Sequence, residues 1–199
     1  MKITELSQHL HQLRHNRSGR AIGSAMNVSE VWNAVLESDE TSIDRLDIHI
    51  EDLPRPVDGM FARVVIPGEA GAPDQEIGAV YVHNDLPLHW RDFIIIKEMM
   101  HCFTPMTRYC STPHDAGQVL QALVQRGGRY TLNVAADDVG ILAAAEVILP
   151  HKTVESLLAA NLDCNEIAAR HGLHPEIVEE ICRYDIVQWR KNGDLNGDF

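Results

Sequence analysis

The chain has 199 residues with 29 acidic against 17 basic side chains, a formal charge of −12. This length suits one domain with an appendage, and the charge disfavours broad attraction to a phosphate backbone. The opening MKITELSQHLHQLRHN has no signal-peptide core, and no run of about 18 apolar residues is present to span a bilayer, so a cytoplasmic protein is expected.

In chain order, Ile3, Leu6, Leu10 and Leu13 recur at helical spacing, and Val28, Val31, Trp32 and Val35 repeat the pattern after Asn27, a residue suited to capping. His9, His11 and His15 fall in the first helix; His9 and His11 point to different sides, which reads as a solvated polar face. The period then changes. LDIHI at 46–50, MFARVVI at 60–66 and IGAVYV at 77–82 are β-rich runs separated by proline and glycine. They predict a small sheet of about three strands, mostly antiparallel, the last two paired across a long loop.

Leu86-Pro87 opens a long helix that ends near Phe103, with Phe93, Ile96, Met100 and Phe103 as its apolar stripe. Further helices are predicted at 114–125, 134–149, 153–160, 165–171 and 175–189, before a frayed polar tail at 191–199. The divisions that follow are N-terminal helices at 1–40, a core with the sheet at 41–150, and a C-terminal helical subdomain at 151–190. Cys102, Cys110, Cys164 and Cys182 form no C-x-x-C pair and read as free thiols. Cys110 and His114 stand four apart, but Ser111-Thr112-Pro113 between them reads as a helix start, which outweighs a shared metal.

Within the long helix, KEMMH at 97–101 differs by one residue from H-E-x-x-H, which sets two zinc ligands and a general base on one helical face. Glu98 occupies the base position and His101 the second-ligand position. Lys97 occupies the first, and an ammonium has three donors and no lone pair. Further on, Gly140, Ala143 and Ala144 put small residues on one helical face, which is expected to pack closely against the KEMMH helix.

The succession from Ile77 to Phe103, with its strand, Trp90-Arg91 pair and K-E-x-x-H, resembles the ImmA/IrrE family of metallopeptidases. DDVGILAAAEVILP at 137–150 is similar to that family's second motif, an acidic ligand followed by an alanine-rich helix, and 162–178 is similar to its closing helices. The sequence departs from the family at Lys97 and at Gly140-Ile141, where the family carries Ala-Asn. The resemblance implies an α+β fold: a zincin-like helical domain with a small sheet and a C-terminal helical subdomain. It also implies that Glu98 matches the general base, His101 a metal ligand and Asp137 the carboxylate ligand, with Asp138 its rival.

The leading expectation is a non-catalytic homologue that binds a protein partner, such as a helix-turn-helix repressor. In it, no cofactor is held and Lys97 substitutes for the charge of zinc between Glu98 and Asp137. The alternative is an active zinc peptidase with Glu98 as base and a third ligand from His114, Cys102 or Asp138. A third reading makes the C-terminal helices a DNA-binding or interaction module. Glu176, Glu179 and Glu180 on the second of them are poor partners for phosphates.

Overall fold

In a computed structural model that describes residues 1–55, 57–69, 72–104 and 132–192, Ile3, Leu6 and Leu10 are fully buried on one face of helix α1 (Ile3–Ser18). Helix α2 (Val28–Glu37) starts as the sequence predicts. The Asn27 side chain accepts the Glu30 backbone N–H, and the Glu30 carboxylate accepts the Asn27 N–H, so two otherwise orphan donors are satisfied reciprocally.

Strands β1 (Arg45–Glu51), β2 (Gly59–Ile66) and β3 (Gln75–His83) follow, and β2 and β3 are antiparallel as expected. The sheet is nevertheless mixed rather than mostly antiparallel. Its order is β1-β3-β2, and β1 runs parallel to β3 with Leu46 opposite Gly78. Burial explains the order: β3 contributes Ala79, Val80, Val82 and His83 to the interior, so the most buried strand takes the centre. The end of β3 closes both neighbours, with His83 N–H bonded to Asp58 O and Asn84 N–H to Glu51 O.

Helix α3 (Leu88–Met100) packs on the sheet. Arg91 ties its first turn to the connection from β3, donating through Nη2 to Asn84 O at 2.6 Å and Leu86 O at 3.2 Å. The α-helix stops one residue before His101, which opens a short 3-10 turn (His101–Phe103).

Helix α4 (Leu132–Ile148) crosses α3 and is followed by α5 (His151–Ala159), α6 (Cys164–His171), α7 (Pro175–Cys182) and α8 (Tyr184–Asn192). The single helix expected over 175–189 is two, broken at Arg183, whose ψ of 135° is extended. The break lets α8 turn back so that Arg190 is wholly buried, donating to Ala145 O, Leu149 O and Ile181 O. Ser7 reaches Glu146 O, His11 reaches Val147 O and the Met26 N–H reaches Ile148 O. Five consecutive carbonyls at the end of α4 are thus satisfied by tertiary donors, where a helix terminus otherwise leaves orphans. His11 therefore does not belong to a solvated face; it is a core residue, 1 % exposed.

The described chain is α+β, eight α-helices with a small three-stranded mixed sheet, and none of its described helices is long and apolar enough to cross a membrane. The predicted helix at 114–125, with Cys110 and His114, lies outside the described residues, as does 193–199.

Candidate functional site

The last turn of α3 places Lys97 and Glu98 in the interior, 7 % and 2 % exposed. Adjacent side chains on a helix point about 100° apart and do not ordinarily meet. Here the lysine folds across so that Nζ donates to Glu98 Oε1 at 2.8 Å. The other carboxylate oxygen, Oε2, lies 3.7 Å from His101 Nε2, one turn further on. An ammonium, a carboxylate and an imidazole are therefore collected in one buried locus.

Its walls come from two other elements. Gly59, at the start of β2, lies against the carboxylate: a Cβ there would meet Glu98 Oε1 at 2.8 Å and Ile94 Cγ2 at 2.4 Å. Phe61, two residues along the same strand, stacks on the His101 ring with centroids 6.2 Å apart. From the opposite side, Gly140 of α4 approaches so closely that a Cβ would stand 3.4 Å from His101 Nε2 and 3.5 Å from Lys97 Cγ. The small-residue face thus packs against the KEMMH helix at Gly140, as predicted, and Ala143 and Ala144 are fully buried.

The sequence-predicted residues divide accordingly. Lys97, Glu98 and His101 converge. Asp137 falls in the N-terminal half of α4, but its side chain and that of Asp138 lie outside the described residues, as does His114. Cys102 does not converge with Glu98 and His101 as a third ligand, and burial pushes its thiol up to about 12, away from the thiolate that binds metal. The donor set described here does not fit zinc: the first-ligand position holds a group without a lone pair, and that group occupies Glu98 Oε1.

Sequence reasoning missed a second buried polar group. Glu146 caps the start of α5, accepting the His151 N–H at 2.9 Å on one oxygen and facing His151 Nδ1 at 2.7 Å with the other. Arg190 Nη1 stands 3.5 Å from the same carboxylate. Glu146 and His151 line a cavity of about 550 Å³ between α1 and α5, together with Ser7 and His11. A glutamate inside the apolar run AAAEVIL is the signal that could have found it, because a buried carboxylate requires partners.

No family model matches the chain, and neither the curated proteins nor the solved structures yield a match.

Proposed function

We propose that this protein is a non-catalytic relative of the ImmA/IrrE-like metallopeptidases, a regulator that binds a protein partner through a scaffold whose metal locus holds a lysine. One observation carries the reading: the buried Lys97 ammonium, 2.8 Å from Glu98 Oε1, at the position where H-E-x-x-H would place a zinc ligand. A carboxylate buried in a partly dry cleft without a cation is costly to keep ionised, and a fixed ammonium offsets part of that cost. Glu98, the residue matching the family's base, has one oxygen committed to this pair.

Two further features agree with a binding role. β2 is an edge strand that carries exposed Met60, Val64, Val65 and Ile66, a surface able to meet another chain. The α6 and α7 pair has the predicted helix-Gly-helix layout, but its second helix exposes Glu176, Glu179 and Glu180, which favours protein contact over DNA.

The test is elemental analysis of chain purified without a metal-binding tag, beside Lys97→His. The variant should hold one more equivalent of zinc than the parent. Zinc in the parent protein that is released by His101→Ala would sink the proposal.

A further inference from the structure

At the opposite end of α3 from Lys97, three metal-binding side chains converge from two helices. His89 stands in the first turn of α3, and His174 and Glu176 flank the start of α7. One ligand atom from each lies within 4.8 Å of the other two, the single such group among the described residues. His89 Nε2 is 3.0 Å from Glu176 Oε2, and the two imidazoles stack with centroids 3.6 Å apart and planes 6° from parallel.

We propose that His89, His174 and Glu176 form a binding site for a divalent ion of the zinc, nickel and copper class, clamping α7 to α3. Around a tetrahedral zinc with ligands at about 2.1 Å, ligand atoms stand roughly 3.4 Å apart. The His89–Glu176 separation is within a few tenths of an ångström of that, the His174 nitrogen lies within 4.8 Å of both, and its ring must turn out of the stack with His89 for its in-plane lone pair to point at a shared ion. Two imidazoles and one carboxylate suit borderline transition metals and not calcium or magnesium, which take oxygen ligands. The set leaves a fourth position for water.

The surroundings supply orientation. Trp90 Nε1 donates to Glu176 Oε2 at 3.2 Å, a bond that aims the carboxylate at His89 and can persist when the ion takes the other lone pair. His174 Nδ1 accepts the Glu176 backbone N–H at 3.3 Å, the long N-cap bond of α7. Ligation replaces that bond, because a ring nitrogen bound to metal leaves the other protonated. Loading therefore replaces the His174 cap bond, the His89 Nε2–Glu176 Oε2 hydrogen bond, whose proton leaves as the nitrogen takes the ion, and the stack of the two rings. The site is independent of the proposed function: Lys97 is at the other end of the helix, and the His89 cluster is the same whether or not the KEMMH locus binds zinc.

The experiment is calorimetric titration of the chelator-treated full chain with zinc chloride, beside three variants. His174→Ser keeps a cap for α7, Glu176→Gln keeps an acceptor for Trp90, and His89→Ala removes the third ligand. The parent should bind one equivalent of zinc with micromolar affinity or better, with a change in tryptophan fluorescence. Each variant should fold with the parent's circular dichroism and lose at least about tenfold in affinity. Lys97→His should add an equivalent without disturbing this one, which separates failure here from failure of the proposed function. No saturable zinc binding, or binding that all three variants retain, would overturn the site.

Discussion

Gly140 of α4 lies directly against His101, with room for a Cβ at 3.4 Å from Nε2 and for nothing larger. The contact sets how near α4 comes to the KEMMH turn. Gly140→Ala places its methyl at ordinary contact distance and gains helix propensity worth up to about 1 kcal/mol. Thermal unfolding should show it neutral or stabilised. Gly140→Leu must push the helices apart and should cost about 1–3 kcal/mol or more. An alanine as damaging as the leucine would mean that the helices pack otherwise.

Lys97→Met leaves Glu98 buried without its ammonium, a loss that typically costs about 3–5 kcal/mol. Glu98→Gln alone takes the carboxylate charge away from the ammonium and weakens the pair from its other side. In Lys97→Met/Glu98→Gln neither charge remains, so stability should recover most of either single loss. Urea unfolding of the four proteins gives the coupling energy directly. Additive losses would show that the pair is not the unit that holds this turn together.

What the sequence discloses about this molecule is what repeats locally. The apolar stripes of α1 and α3, the Asn27 cap and the three strands follow from periodicity and capping chemistry within a few residues. The close approach of α4 was readable too, because glycine inside a helix is costly unless packing offsets it, and Gly140 does lie against Lys97 and His101. Strand order was not readable: placing β3 between β1 and β2 depends on which strand is most covered, a property of the whole. The break at Arg183 has neither glycine nor proline to mark it and exists because Arg190 must reach the end of α4. His11 and Arg14 look like surface residues until carbonyls from other segments are brought to them. At the site, the sequence put Lys97 beside Glu98 on the helix, and the structure adds that Nζ reaches Glu98 Oε1 at 2.8 Å, while the Asp137 side chain lies outside the described residues.

Cysteine reactivity offers an independent check of the packing. Burial raises the Cys102 thiol to about 12, and burial with the neighbouring Cys164 raises Cys182 to about 11, both from an ordinary 9.0. The thiolate is the nucleophile, so at pH 8 Cys182 should alkylate about 100-fold more slowly than an unperturbed thiol and Cys102 more slowly still. Labelling with iodoacetamide, mapped by mass spectrometry in native and urea-unfolded protein, measures both. Native Cys182 reacting at the unfolded rate would contradict the packing of α7 against α6.

The acid side of the stability profile should carry the signature of His11. Its Nε2 meets the Val147 carbonyl at 3.0 Å and must donate, so the neutral ring leaves Nδ1 to accept from Arg14 Nη2 at 3.2 Å. A second proton would face the guanidinium. Burial first and the Arg14 charge second lower the His11 pKa from 6.5 to about 4. Between those values the unfolded chain binds the proton and the folded chain does not, so stability rises with pH across the window. The contribution is fully present above about pH 6.5 and is lost as pH falls toward 4, on the order of 3 kcal/mol in total. His11→Gln keeps a donor for Val147 and cannot titrate. Urea midpoints measured from pH 7 down to pH 4.5 should fall more steeply for the parent than for His11→Gln, and parallel curves would show that His11 is not the buried neutral group.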